Sequence, residues 1–264
     1  MTANQDWQQY GSAEKNILWG THLVCNKVLK KLLTATLCLV STTYAYGDSA
    51  RWVANKLETL RAAAPQISDR ALSSALNATQ CATRYGMAEP QRLAIIDFSL
   101  PSSEKRLWIF DLAREKLVLR DLVAHGKNSG EAQASAFSNI EGSHQSSLGL
   151  FRAAETYHGK HGYSLRLDGL EDGINDQARQ RAIVIHGADY VAPKWIKEHG
   201  RLGRSFGCPA VRKEIAHQVV DNLKNGQFVF SYYPDQDWAQ TSSFLNCDAG
   251  ALVAKPGKHS AANS

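Results

Sequence analysis

Cys208 and His186 are the residues whose types and setting could do covalent chemistry. Cys208 lies in Gly203-Arg204-Ser205-Phe206-Gly207-Cys208-Pro209. Pro209 suits the first position of a helix, and Val211, Ile215, Val219 and Leu223 then recur every four residues up to Gly226. The pattern predicts a helix over 209–225 with Cys208 at its N-cap, where unpaired N–H groups and the helix dipole favour a thiolate. Gly207 lets a substrate approach the backbone, and the amides of Gly207 and Cys208 could receive the oxyanion of a tetrahedral intermediate. A thiol nucleophile needs a base. His186 ends the apolar run Ala182 to Ile185, and 22 residues separate it from Cys208, room for a loop and a short helix to return the chain. The two would form the nucleophile–base pair of acyl transfer. The same spacing also fits a structural cysteine and a simply hydrogen-bonded histidine. The Gly and Pro flanking Cys208 favour the chemical reading, because an inert cysteine needs no such backbone.

The segment Ile185-His186-Gly187-Ala188-Asp189-Tyr190-Val191, followed by Gly200 to Val211, resembles the YkuD-like L,D-transpeptidases, and most closely the murein L,D-transpeptidase catalytic domain family. That family's pattern, His-Gly and then Ser-x-Gly-Cys, falls on His186, Gly187, Ser205, Gly207 and Cys208. Upstream, Ser147, Gly149 and Phe151 stand where many members have Thr, Gly and Phe, and His161 to Leu165 is also similar to this branch. The resemblance covers about residues 90–235. It departs at Phe206 and Ala210, where many members carry His and Arg. The resemblance implies cysteine-dependent acyl transfer on peptidoglycan tetrapeptide stems through a thioester, with release of the terminal D-alanine. The alternatives are an L,D-carboxypeptidase that trims tetrapeptides to tripeptides, or an inactive wall-binding protein. It also implies that the Gly187 carbonyl orients the His186 ring and that no metal or organic cofactor is used. Ser205, Arg204 and Tyr190 are the candidates for substrate contact, with Arg204 or Arg212 taking a carboxylate. The partners it implies are donor and acceptor stem peptides.

The elements that must position these residues are mostly strands. Leu93 to Ser99, Arg106 to Asp111 and Lys116 to Val123 read as strands, the last two joined by a turn at Ala113-Arg114-Glu115. Gly149 to Ala153, Tyr163 to Leu167, Ala182 to Ile185 and Phe228 to Tyr233 read likewise. A long Gly-, Ser- and Asn-rich loop spans His125 to Ser147, and Pro193 to His199 reads as a short helix ended by Gly200. Residues 48–64 and the stretch from Ser68 toward Gly86 read as a helical hairpin. The expected fold is therefore α+β, a β-rich mixed sheet of sandwich or open-barrel type with flanking helices and that hairpin in front. The expected organisation is 1–45 extension and signal peptide, 46–90 hairpin, 91–234 catalytic domain and 235–264 a polar, loosely attached tail.

Composition narrows the class. With 264 residues, 44% apolar, and a net charge of only +5, the chain can bury a sizeable core and is not globally disordered. No apolar stretch reaches the roughly 18 residues of a membrane span. Lys and Arg are dispersed rather than gathered into a nucleic-acid patch. Lys27, Lys30 and Lys31, the apolar run Leu32 to Val40 and the small-x-small site Thr43-Tyr44-Ala45 resemble a secretory signal, which predicts export to the periplasm or cell envelope. Cleavage there would leave Cys81, Cys208 and Cys247. Either Cys81 pairs with Cys247 and Cys208 stays free, or all three are reduced. There is no His-Glu-x-x-His or Cys-x-x-Cys, and His158 and His161 lack an acidic third ligand at useful spacing, so zinc catalysis is unsupported.

Overall fold

The protein's architecture is that of a computed structural model, which describes residues 50–247. The export segment and the end of the tail lie outside the described residues. A mixed nine-stranded sheet dominates. Its strands are β1 (Arg92–Asp97), β2 (Leu107–Asp111), β3 (Lys116–Asp121), β4 (Val123–Ala124), β5 (Gly149–Gly159), β6 (Gly162–Gly169), β7 (Val184–Ala188), β8 (Ala210–Arg212) and β9 (Phe228–Tyr232). Their order is β3-β2-β1-β9-β5-β6-β7-β8-β4. The pairs β1/β9 and β7/β8 are parallel and the other ladders antiparallel. β1, β2 and β9 are near-continuous apolar runs, as strands covered on both faces must be.

The sheet nearly closes into a barrel, and the sequence around Leu122 shows why. β3 and β4 occupy opposite ends of the strand order, yet only Leu122 separates them in the chain. The predicted single strand over 116–123 is thus broken there, and the chain steps from one outer strand to the other. Arg106, wholly buried, holds this step by donating to the Val123 and Leu100 carbonyls and meeting His125 Nδ1 at 2.7 Å. Burial lowers its pKa to about 9, while the charge of Asp97 opposes the fall. Arg212 of β8 clasps Asp121 of β3 at 2.8 and 2.6 Å, across the same closure.

A helix over residues 50–63 (α1) and α2 (Asp69–Arg84) share the core with the sheet through Leu60, Leu72 and Leu76. Ser68 caps α2 by accepting from the Ala71 N–H at 3.1 Å. The short helix α3 (Pro193–His199) ends at Gly200 in the left-handed region, as its sequence predicts. The helix α4 (Lys213–Leu223) buries Ile215, Val219 and Leu223.

Two expectations are corrected. The helix predicted over 209–225 begins only at Lys213, because Ala210–Arg212 pair with β7 as β8. Val211 faces the core from a strand while staying in phase with the helical repeat, so the four-residue spacing ran across the boundary. The tail after Asp235 is not loosely attached up to residue 247. It forms α5 (Gln236–Thr241), capped by Asp235, and buries Trp238 and Phe244. Cys247 is bonded to Cys81 with Cα atoms 5.7 Å apart, and Cys208 is the free thiol among the described residues.

Candidate active site

β7 carries one half of the site and the loop before β8 carries the other. The parallel ladder sets His186 opposite Ala210 and Gly187 opposite Val211, which brings Cys208 to the start of β7. There the Val184 N–H points at Cys208 Sγ, 3.4 Å away, and the thiol faces the Ala182 carbonyl at 3.6 Å. His186 lies two residues beyond Val184, on the same face of the strand. Its backbone N–H donates to the Pro209 carbonyl at 3.4 Å, so the strand and the cysteine loop are tied directly.

Gly187 O accepts from His186 Nδ1 at 3.1 Å. A carbonyl can only accept, so Nδ1 carries the hydrogen and Nε2 is left as the basic nitrogen. The ring is almost wholly buried, and His161, at the tip of the β5–β6 hairpin, stacks on it with ring centroids 4.3 Å apart. Burial lowers the His186 pKa, the Gly187 bond opposes this, and the charges of His161 and Lys160 lower it further. Burial pushes the Cys208 thiol up, while the Val184 N–H, Arg181 and Lys160 pull it down. Cys208 precedes a strand rather than a helix, so the helix-dipole argument for a resting thiolate does not hold. Burial thus disfavours the charged form of both the thiol and the imidazole.

The cysteine loop is built on close backbone approach. Gly207 has φ of 123°, and a Cβ there would lie 3.0 Å from the Gln145 carbonyl oxygen and 3.2 Å from Ile183 Cδ1. The 125–147 loop grips it: Lys127 N–H donates to Ser205 O at 2.8 Å, and Ser146 Oγ donates to Gly207 O at 3.0 Å. Ser205 Oγ, nearly buried, donates to Cys208 O at 2.6 Å and accepts from the Gly207 N–H at 3.1 Å.

These bonds revise several expected roles. The Gly207 N–H is already given to Ser205, so Cys208's own N–H, which lies toward its thiol, is the remaining amide for an oxyanion. Ser205 Oγ is engaged inside the loop by its bonds to the Cys208 carbonyl and the Gly207 N–H. Gly203–Gly207 also spells Gly-x-Ser-x-Gly, a serine-nucleophile pattern that sequence reasoning overlooked. The bonds of Ser205 and its place on a loop between α3 and β8 fit no such role. Arg204 Nη1 contacts the Lys127 and Gly130 carbonyls and Glu131, and Arg212 is paired with Asp121. The Arg204 bonds all come from Nη1, whereas Arg212 gives both Nε and Nη2 to Asp121. Tyr190 packs on Gly203 and lines a groove with Gly187 and His161.

Arg181 is the residue the motifs did not reveal. Its guanidinium donates to the Ser138 and Gln145 carbonyls at 2.6 Å each and to the Ser143 and Ser147 hydroxyls. It therefore pins the long loop and places a positive charge near Cys208. No spacing in the sequence marks an arginine just ahead of a buried strand as part of a site. Phe206 is the other addition: 65% exposed, it packs against His144, with Lys127 Nζ 4.6 Å from its ring centroid.

A model of the L,D-transpeptidase catalytic domain matches residues 63–232, more than half of the chain. The chain belongs to this family. Solved structures with similar folds include an L,D-transpeptidase from Mycobacterium smegmatis, 12% identical, covering 55% of this chain and 59% of that one at a TM-score of 0.35. The L,D-transpeptidase (Yku) from Stackebrandtia nassauensis is 10% identical, covering 68% and 77% at 0.35. The helical cell shape determining protein Pgp2 from Campylobacter jejuni is 12% identical, covering 55% and 48% at 0.37. The chain thus spans less than two thirds of the Mycobacterium and Campylobacter chains. None of the curated proteins compared with it matches in sequence.

Proposed function

We propose that this L,D-transpeptidase domain transfers acyl groups between peptidoglycan stem peptides outside the cytoplasm, with Cys208 as nucleophile and His186 as base. The observation that carries the reading is the shared strand. Val184 N–H holds Sγ, and on His186, two residues on, the bond to the Gly187 carbonyl leaves Nε2 of a neutral imidazole as the acceptor. A neutral base is the form that can take the thiol proton at the moment of attack. Sγ then bonds to the carbonyl carbon of the third stem residue, and the Cys208 N–H with Arg181 offsets the developing negative charge. The bond to the terminal D-alanine nitrogen breaks, and Nε2–H returns the proton to that leaving amine. The thioester is resolved by an amine, giving a cross-link, or by water, giving a tripeptide.

The test is incubation of the full chain with purified tetrapeptide muropeptides, read by mass spectrometry. The expected result is a covalent adduct on Cys208 followed by dimers, with tripeptides marking hydrolysis. A folded Cys208→Ala variant should form neither adduct nor product. Products that persist in that variant would overturn the reading.

A further inference from the structure

The short turn before β7 carries much of the nucleophile's setting. The Ala182 carbonyl and the Val184 N–H both meet Cys208 Sγ. Arg181, beside Ala182, reaches into the 125–147 loop, where all four of its bonds go to neutral acceptors: the Ser138 and Gln145 carbonyls and the Ser143 and Ser147 hydroxyls. The guanidinium is half-buried and pairs with no carboxylate among the described residues. Glu141 of the same loop is bonded to Gln180, and Asp176 of the preceding turn to Asn139. A half-buried cation held only by neutral groups is costly unless a negative charge develops beside it. The backbone on both sides of this contact is strained. Ala182, next to Arg181, has φ of 54°, and His144, next to Gln145, has φ of 55°. Neither is glycine, so such conformations persist only where the surroundings over-determine them. The Arg181–Gln145 bond of 2.6 Å closes between these two residues. Arg181 Nη2 lies 3.5 Å from the point where a Cβ on Gly207 would stand, one residue from Cys208.

We propose that Arg181 is a positioning residue for the nucleophile: the 125–147 loop fixes its guanidinium beside the cysteine loop, and that fixed charge does for the sulfur what a helix N-terminus would have done. The inference rests on the acyl-transfer reading above and extends it from the oxyanion to the sulfur before attack. The Ala182 carbonyl accepts from the thiol and so favours the protonated form. When His186 Nε2 takes that proton, the carbonyl loses its donor, and the charge on Sγ is met by the Val184 N–H and by Arg181. The other ionisable groups facing the sulfur do less. Lys160, at the β5–β6 hairpin tip, is exposed and screened by solvent. Tyr190, after β7, is a phenol that burial and Cys208 both push toward its neutral form. His144 and Lys127, on the loop side, pack against Phe206.

The experiment needs no acyl donor. The full chain is treated with iodoacetamide over a range of pH, and the peptide carrying Cys208 is followed by mass spectrometry. Sulfur bonds to the methylene carbon as iodide leaves, and only the thiolate reacts, so the rate follows the thiolate fraction. Arg181→Gln keeps an amide that can bond to the loop but removes the charge; Arg181→Lys keeps the charge and loses the fork. At neutral pH the Gln variant should alkylate about tenfold more slowly, its rise moved to higher pH, as befits the loss of one nearby opposite charge. The Lys variant should recover most of the rate, and Lys160→Met should change it less than Arg181→Gln does. An unchanged profile in folded Arg181→Gln, or equal slowing in the Gln and Lys variants, would overturn the proposal. If Arg181→Gln does not fold, Ser143→Ala combined with Ser147→Ala takes its place. That change keeps the charge but removes two acceptors that fix it, so alkylation should slow, and an unchanged profile would overturn the proposal. Absence of a Cys208 adduct with a tetrapeptide donor would instead overturn acyl transfer, and would leave the alkylation profile to decide the role of Arg181.

Discussion

Gly207→Ala perturbs the site at its tightest point. The new methyl would sit 3.0 Å from the Gln145 carbonyl oxygen and 3.5 Å from Arg181 Nη2 at a φ of 123°. Neither neighbour can yield freely, since Arg181 holds that same carbonyl at 2.6 Å and Ser146 holds Gly207 O at 3.0 Å. A side chain forced into such a conformation costs about 1–3 kcal/mol. For a domain of this size each kcal/mol lowers the melting temperature by about 2–4 °C, so the expected drop is roughly 2–12 °C. The catalytic penalty should be larger. If the loop relaxes instead of bearing the strain, Sγ leaves the Val184 N–H, and a misplacement of about 1 Å costs roughly 100-fold in rate. Melting curves and the rate of Cys208 adduct formation with a tetrapeptide donor measure both effects. A variant that melts and acylates like the wild type would show that the Gly207 backbone is not a constraint on the nucleophile.

Two pH effects follow from the buried ionisable groups. Glu171 is buried between the Leu150 N–H and Ser242 Oγ, and burial raises its pKa to about 7 against an ordinary 4.5. Its contribution to stability is therefore full below about 4.5 and is lost as pH rises toward 7. Melting temperature should fall across that window in the wild type and stay level in Glu171→Gln. An identical slope in the variant would assign the effect elsewhere. His161→Phe keeps a ring over His186 but removes a charge that holds the base's pKa down. The acid limb of the acylation rate, which marks protonation of His186, should move to higher pH. A limb that stays in place or moves down would mean that His161 does not act on the base.

The strands of the core were legible because Leu93 to Ile96, Leu107 to Phe110 and Phe228 to Phe230 are apolar runs that suit only a doubly covered sheet. The motif named Cys208 and His186, and the β7/β8 ladder brings the segments that carry them side by side. What local pattern could not show was set by tertiary contact. β8 is three residues long and exists because β7 lies beside it. The break at Leu122 depends on a buried arginine 16 positions earlier, Arg106. Arg181 and His161 reach the site through a loop and a hairpin tip, and neither carries a periodic signal. The tail reads as polar because its two anchors, Trp238 and Phe244, are isolated in sequence and a disulfide adds to their hold.

β9 is the last strand to be made, yet it sits in the middle of the sheet, between β1 and β5. Until Phe228 to Tyr232 are available, the earlier strands form two halves with a raw seam along β1 and β5. Assembly of the whole sheet must therefore wait for the C-terminal part of the chain: a nascent polypeptide stopped before residue 228 has the β7/β8 ladder beside Cys208 and His186 but no strand to join the β5–β8 half to β1–β3.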